Sequence, residues 1–380
     1  MKIALISTKA TNIGDDLIRR GVRRLVVSAL ADSYDGELLW KVVNKHQPWT
    51  VYLKSQAARS VVARMPFGQR QVTEALTRIS RRTGRDTVFT DADLVIQCGT
   101  PVMWFGVHES EWQGPIYDDA LGREGRPPTL NLSGGSCFPW IAARPVQLIG
   151  ADRMAISTML DRSDLFTARD RLAAEVAGSL GRPTEVFSCA AIHSGGAVPA
   201  PGDGGVLLVN VMRRGGHFDW GQNLSSESWL ATVDKVLAER TGRDRILFIC
   251  HSDDELALAR SRWPQHEAVL PRNTEEYLEV ARRGRIGLVN RMHAAVTLAG
   301  LGIPAIGIGT DTRLLMVEQA GQPIRYVGDA EADELIEALA DLDTHRLVYR
   351  EALLENERRS FEAHRQHLLD SGILGRAAGR

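Results

Sequence analysis

Short runs of apolar residues alternate along the chain with segments in which apolar residues recur every three or four positions. The short runs are typical of buried parallel strands, and the recurring positions are typical of helices that bury one face. In the first half this pattern predicts helices at 14–30, 153–160 and 170–180, two polar helices within 54–83, and strands at 2–7, 94–98, 129–132, 165–168 and 185–188.

The same alternation resumes after residue 205. Between the two series, residues 193–205 are rich in glycine and proline and have no periodicity, as expected of a linker. Residues 346–370 have the pattern of a long charged amphipathic helix, either a strap across the two halves or a surface for a partner. The second series is predicted to contain strands at 206–211, 246–250, 268–270, 286–290, 305–308 and 325–327, and helices at 226–240, 254–262, 274–282, 292–300, 312–320 and 332–342.

Strand and helix alternate in both halves, so the predicted fold class is α/β, with two Rossmann-like doubly wound domains facing a central cleft. The expected division is an N-terminal domain at 1–198, a C-terminal domain at 199–345 and a C-terminal helix at 346–380. Ligands of open parallel sheets bind beyond the carboxyl ends of the strands. The loops that follow the predicted strands are therefore where the chemistry is expected.

The composition is that of a globular protein, with 44% hydrophobic and 24% charged residues. Its 46 basic and 47 acidic residues leave a net charge of −1, which argues against a nucleic-acid partner. The four cysteines have no CxxC spacing, so we expect no metal site. No stretch has the pattern of a signal peptide or an integral membrane segment, and we expect a cytoplasmic protein.

The segment Asn290-Arg291-Met292-His293 lies between a predicted strand and the start of an apolar helix. Free backbone N–H groups and the helix dipole favour an anion at such a position. The guanidinium of Arg291 and the imidazole of His293 would complete a clamp for a phosphate or carboxylate with a titratable group inside it.

Three other loops carry candidate residues. Asn12 to Asp15 opens the first predicted helix, where Asn12 or Asp15 would cap the helix and Gly14 would permit a tight turn. The glycine-containing loop 212–220 is suited to closing over a ligand, and 309–313 ends a buried strand. The GxGxxG motif of dinucleotide-binding proteins is missing, and we expect no cofactor.

The segment RMHAAVTLAGLGIPAIGIGTD resembles the C-terminal signature of the polysaccharide pyruvyl transferase family, an Arg-x-His helix followed by Gly-x-Pro and a strand. Residues 12–15 resemble the family's Asn-x-Gly-Asp, residues 167–170 its Arg-Asp turn, and residues 249–254 its His-x-x-Asp loop. The chain is identified as a divergent member, because it departs from the pattern at Cys98-Gly99-Thr100-Pro101, Ser188-Cys189 and Thr312-Arg313.

The resemblance implies a two-domain fold similar to GT-B glycosyltransferases. It also implies transfer of a pyruvyl group from phosphoenolpyruvate to two hydroxyls of a sugar or glycan-type acceptor, with formation of a ketal. The donor would bind on the C-terminal side, where Arg291 and His293 match the family's donor-binding and catalytic positions, and the acceptor on the N-terminal side.

The chemistry implied by the resemblance needs an acid for the enol carbon of the donor, a role that suits His293, and a base for the acceptor hydroxyls. The candidate bases are Asp15, His217, Asp219 and His251. The candidates for substrate binding are Arg291, Asn12, Gly14, Arg213, His217, Asn290, Asp311 and Arg313.

Two alternatives remain open. One is a nucleotide-sugar glycosyltransferase on the same architecture, although no Asp or Glu lies between His293 and Asp311 to hold a donor ribose. The other is a non-catalytic binding protein that kept the fold. A homo-oligomer is compatible with the sequence under each of these hypotheses.

Overall fold

The computed structural model describes residues 1–8, 13–45, 89, 91–110, 112–140, 146–196, 205–213 and 224–379. Within these residues the chain forms two six-stranded sheets whose strands pair in parallel. This arrangement confirms the predicted α/β class with two doubly wound halves. The polar helices predicted within 54–83 lie outside the described residues.

The first sheet has the strand order β2-β1-β3-β5-β4, with β6 also paired to β5. A π-helix, Gly114–Ala120, and a 3₁₀ helix, Val107–Glu109, lie between β4 and β5. The strands are β1 (Lys2–Ser7), β2 (Leu39–Asn44), β3 (Leu94–Cys98), β4 (Pro101–Met103), β5 (Thr129–Ser136) and β6 (Leu165–Ala168), and the helices are α1 (Ile13–Leu30), α2 (Gly150–Asp161) and α3 (Arg171–Ser179).

The second sheet has the strand order β12-β11-β10-β7-β8-β9. Its strands are parallel, and the order in which the chain adds them switches from one side of β7 to the other at β10. Its strands are β7 (Val206–Asn210), β8 (Arg245–Ile249), β9 (Glu267–Val269), β10 (Gly284–Val289), β11 (Ala305–Gly309) and β12 (Ile324–Tyr326). Its helices are α4 (Ser226–Arg240), α5 (Asp253–Arg262), α6 (Thr274–Ala281), α7 (Met292–Gly300), α8 (Leu314–Gln319) and α9 (Ala332–Thr344), with a 3₁₀ helix at Val327–Asp329.

Two sequence predictions of local structure are wrong. Residues 185–188 form no strand, because only Val186 bridges to Ala168. The predicted linker does not begin at 193, since residues Ala190–Gly195 form a buried 3₁₀ helix between α1 and α7. Gly21 and Gly300 allow this packing, because a Cβ on either would overlap a carbonyl of the 3₁₀ helix. The predicted division at 198–199 lies outside the described residues and stays a prediction.

The chain ends in two further helices, α10 (Arg346–Asp370) and α11 (Ile373–Ala378), of which α10 matches its predicted bounds. The α10 helix contacts the first half through an ion pair of 2.9 Å between Arg24 and Glu357 and a hydrogen bond from Arg365 to the carbonyl of Ser28. One apolar core runs from β1 and α1 through α7 to Leu353 and Leu368 of α10. The two halves are therefore held together by the packing of α7 and α10 against the first half as well as by the connecting chain.

No helix in the described part of the chain is both long enough and apolar enough to cross a membrane.

Candidate active site at the carboxyl ends of the strands

The loops that follow β7, β8, β10 and β11 enclose a small cavity of about 60 Å³, which we call the histidine cavity. Its lining combines charged and amide side chains from these loops with apolar side chains. The residues that line it are Met212, His251, Asn290, Arg291, Met292, His293, Ile308, Gly309, Thr310, Asp311, Arg313 and Met316. Most of the site residues predicted in the second half thus lie around one space, as the carboxyl-end rule requires.

His293 lies in the first turn of α7, and it lines the cavity together with Met292. Two elements of the first half also contact it. A Cβ on Gly14, in the first turn of α1, would come within 2.5 Å of Nδ1 of His293, so only glycine fits this approach. Nη1 of Arg169 lies 3.2 Å from Nε2 of His293. The residues quoted from three separate motifs therefore meet at one imidazole.

Arg169 follows β6 and is fully buried, although the charged side chain of arginine is seldom buried without a partner. Nη1 donates to the carbonyl of Gly99 at 3.4 Å and to the imidazole of His293. Nε and Nη2 have no hydrogen-bond partner among the described residues. A buried guanidinium with two unused donors is suited to binding an anion. This residue was absent from the predicted site, although the Arg-Asp turn that contains it was noted in the sequence.

The electrostatic surroundings of His293 are cationic. Burial lowers the pKa of this imidazole well below its usual range, and the charges of Arg169, Arg313 and Lys45 lower it further. Lys45, just after β2, is a second residue that the sequence did not single out. A guanidinium N–H only donates, so Nε2 of His293 accepts and the neutral ring carries its proton on Nδ1. His293 is therefore neutral near pH 7 while no anion occupies the site.

Arg291 is already engaged with a carboxylate inside the protein. Its Nε donates to Oε1 of buried Glu255 at 2.7 Å, and Nη2 lies 2.5 Å from the same oxygen. The other oxygen of Glu255 accepts from Nδ2 of Asn210 and from the N–H of His251. Glu255 thus fixes the guanidinium at the mouth of the cavity and leaves part of its fork for a ligand.

The side chain of Asn290 is used to hold strands together. Its Oδ1 accepts from Nε1 of Trp229 at 2.7 Å, and its Nδ2 donates to the carbonyl of Ile308 at 3.0 Å. This places Asn290 between α4, β10 and β11. Its amide therefore positions the loop that carries Arg291, a use that the sequence pattern did not predict.

Asp311 and Arg313, in the loop after β11, form an ion pair and line the same cavity. Nε and Nη2 of Arg313 donate to the two oxygens of Asp311 at 2.7 and 2.6 Å. Thr312 between them joins this loop to the first half, because its Oγ1 lies 2.9 Å from Oγ of Ser136 and accepts from the N–H of Phe138. The β11 loop is thereby fixed across the cleft.

His251 follows β8 and is also buried. Its Nε2 lies 3.3 Å from the hydroxyl of Tyr277, and its Nδ1 is buried with no partner among the described residues. Burial lowers its pKa to about 4, and the charge of Arg291 contributes in the same direction. At neutral pH this ring is uncharged, and its low pKa makes it a weak base unless a bound ligand raises that pKa.

The remaining predicted site residues are less central. Asp15 is buried in the first turn of α1. Arg213 lies on a separate cavity beside α5 and does not line the histidine cavity. Asn12, His217 and Asp219 lie outside the described residues.

The family model described as polysaccharide pyruvyl transferase matches residues 12–312. The chain has no significant match among curated proteins.

Several solved structures have a similar fold. A UDP-GlcNAc 2-epimerase from Neisseria meningitidis bound to UDP-GlcNAc has a TM-score of 0.56 at 11% identity, over 98% of this chain and 99% of that one. The MnaA-UDP structure from S. aureus has a TM-score of 0.53 at 12% identity, over 93% of this chain and 90% of that one. Because these proteins have the GT-B fold, the predicted GT-B-like architecture is confirmed. At such identities the likeness shows the fold alone.

Proposed function

The chain belongs to the polysaccharide pyruvyl transferase family and is a transferase, and from this premise we propose that it transfers a pyruvyl group from phosphoenolpyruvate to two hydroxyls of a sugar or glycan-type acceptor. The observation that carries the proposal is the contact between Arg169 and His293. It places a buried guanidinium with two unused donors against a titratable ring. The donor offers a phosphate and a carboxylate, which are the groups that such a guanidinium recognises.

The proposed reaction conserves every atom. A proton adds to C3 of phosphoenolpyruvate, and one acceptor hydroxyl forms a bond to C2 and loses its proton. The bond between C2 and the phosphate oxygen then breaks, and the second hydroxyl bonds to C2 and loses its own proton. Of the two hydroxyl protons released, one balances the proton taken up at C3 and the other leaves with phosphate. The products are the pyruvyl ketal and inorganic phosphate.

His293 is the proposed acid, and the bound donor prepares it for this role. In the free site, Nε2 accepts from Arg169 and the neighbouring cations keep the ring neutral. A bound anion offsets those charges and attracts the guanidinium, so Nε2 becomes able to hold a proton. His293 then carries a second proton, on Nε2, only when the donor is bound.

The donor is proposed to lie between Arg169 and the guanidinium of Arg291, and Arg313 lines the same cavity as Arg291. Glu255 and Asp311 hold the last two guanidiniums in place, so each offers a fixed fork. Gly14 lets the first turn of α1 approach His293 closely. His251 is the first candidate for the base and Asp15 the second. Parts for Asn12, Arg213 and His217 in substrate binding stay predictions.

Phosphate release from phosphoenolpyruvate with a panel of sugar acceptors tests this proposal. Thermal shifts with phosphoenolpyruvate and with UDP-sugars provide a second readout that does not need the acceptor. We expect stabilisation by phosphoenolpyruvate and acceptor-dependent phosphate release. Stabilisation by a UDP-sugar alone would refute the proposed donor and favour the glycosyltransferase alternative. A cytoplasmic location and a homo-oligomer stay predictions.

A further inference from the structure

A second and larger cavity of about 920 Å³ lies beside the histidine cavity. Ile13 and Asp16 of α1 form one side of it, and α5, β9 and the loop after β9 form the other. We call this space the α1–α5 groove. It is larger than the histidine cavity, which also contains His251, and it takes residues from both halves of the molecule.

His251 is the wall between the two spaces, because it lines both of them. The ring is buried, and its Nδ1 has no partner among the described residues. A polar atom buried without a partner costs free energy, so it is retained where a ligand can satisfy it. A hydroxyl bound in the groove at this ring would lie beside the space that contains His293.

The walls of the groove carry balanced charge. Asp16, which is paired with Arg19, and Asp253 contribute two carboxylates, while Arg260 and Arg272 contribute two guanidiniums. Apolar surface lies between them, from Leu256 among others. The residues that line the groove thus carry no net charge among themselves, and the guanidinium of Arg19 lies against Asp16 outside that lining. A sugar ring matches such a wall, since its hydroxyls both donate and accept hydrogen bonds and its C–H faces are apolar.

We propose that the α1–α5 groove is the acceptor site, that it binds an uncharged glycosyl unit, and that it presents a hydroxyl of that unit to His251. The inference rests on the proposed function, which it deepens by naming the acceptor surface. A third cavity of about 570 Å³ lies on the other flank of α5. Its lining includes Arg213 and Arg291 but neither His251 nor any residue of α1.

The α5 helix supplies matched variants for a test. Asp253 and Asp254 are consecutive exposed carboxylates in its first turn, and only Asp253 lines the groove while Asp254 lines the third cavity. Leu256 and Leu258 are both half-buried, and they line the groove and the third cavity respectively. Each pair therefore places the same change on the two flanks of one helix.

The first readout is the direct binding of neutral hexose oligosaccharides, which saturation-transfer NMR measures in the absence of any donor. Uronate counterparts of the same sugars serve as the charged comparison. We expect Leu256→Trp to abolish binding and Asp253→Asn to weaken it about tenfold, the effect of losing one hydrogen bond to a charged group. Leu258→Trp and Asp254→Asn should bind as the wild type does.

The second readout is kinetic, from phosphate release. In Asp253→Asn the KM for the acceptor should rise while the affinity for phosphoenolpyruvate stays unchanged. The wild type could bind neutral sugar but not phosphoenolpyruvate, with sugar binding lost in Leu256→Trp. That result would refute the proposed donor and support the groove as the sugar site. Loss of sugar in Leu258→Trp instead, preference for the uronates, or no neutral sugar bound by the wild type would each overturn the inference.

Discussion

Replacement of Arg169 by methionine separates the two effects that this guanidinium has on the site. Methionine keeps a long side chain in the buried space and removes the charge and all the donors. In the native protein Nε and Nη2 have no hydrogen-bond partner within the described part of the chain, and Nη1 lies 3.2 Å from Nε2 of His293. We therefore expect Arg169→Met to weaken the binding of anions and to raise the pKa of His293 toward its usual range.

The size of both effects follows from the geometry. Two unit charges 3.2 Å apart repel by about 5 kcal/mol at an effective dielectric constant of about 20. Because both charges are delocalised, about half of this energy applies, and its removal raises the pKa of His293. The loss of two charge-assisted hydrogen bonds costs about 3 kcal/mol, or about a hundredfold in the Kd of phosphoenolpyruvate.

Three measurements on the same variant test these values. They are the Kd of phosphoenolpyruvate by calorimetry, the pKa of His293 by NMR, and the Tm. Among the described residues Arg169 has no carboxylate within ion-pair distance. Burial raises the pKa of Asp170 and the charge of Arg169 offsets part of that rise, so we expect removal of Arg169 to change the Tm only slightly. Arg171→Met is the matched control, because Arg171 is two residues away, 60% exposed and paired only loosely with Glu318. A lower Tm together with unchanged donor affinity would show that Arg169 serves the fold and would refute the reasoning.

The other predictions concern the same cleft and the C-terminal helix. His293→Ala should abolish turnover with the fold intact by circular dichroism, and Arg291→Ala should weaken donor binding; full donor affinity in Arg291→Ala would remove that residue from the site. Gly14→Ala should lower kcat more than tenfold, because the added methyl group displaces His293, whereas Gly178→Ala, where a Cβ meets open space, should leave kcat unchanged. Binding of phosphate should take up a proton, because the pKa of His293 is low in the free protein and a bound anion raises it. The affinity for phosphate should fall as pH rises between the pKa of His293 in the free protein and its pKa in the complex. Identical calorimetric enthalpies in buffers of different ionisation enthalpy would contradict this uptake. His364 is stacked on Phe187, and burial lowers its pKa from 6.5 to about 3. Its contribution to the free energy of unfolding is therefore complete above pH 6.5 and is lost as pH falls toward 3, at up to about 1.4 kcal/mol per pH unit. In urea titrations His364→Phe should flatten this dependence of stability on pH, and an unchanged dependence would exclude His364 as its source.

The regular elements were predictable because hydrophobic periodicity dominates wherever a strand or helix is buried. β1, β3, β6 and α4 have their predicted bounds. β2 was not predicted, because it lies at the edge of the sheet with only one of its six residues buried, and Lys41 interrupts the apolar run. β4 has only three residues, and the π-helix Gly114–Ala120 has a period that the two standard patterns do not match.

The candidate site was predictable in its location and less so in its pairings. Strand-end loops identified His251, Arg291 and His293 as neighbours, which the lining of the histidine cavity supports. The partners of these groups come from distant positions, as Glu255 does for Arg291 and Arg169 for His293. Spacing along a chain contains no record of such contacts, because they depend on how loops from different strands converge.

The return of α10 and α11 to the first half has a consequence for the order in which the protein folds. Arg24 and Glu357 are 333 residues apart in sequence, and their ion pair forms only after α10 has been synthesised. The first half emerges first from the ribosome, yet part of its apolar surface stays uncovered until the whole second half has been translated. We expect the nascent first half to depend on chaperones during that interval. In a chain truncated before residue 346, we expect the first half to unfold before the second.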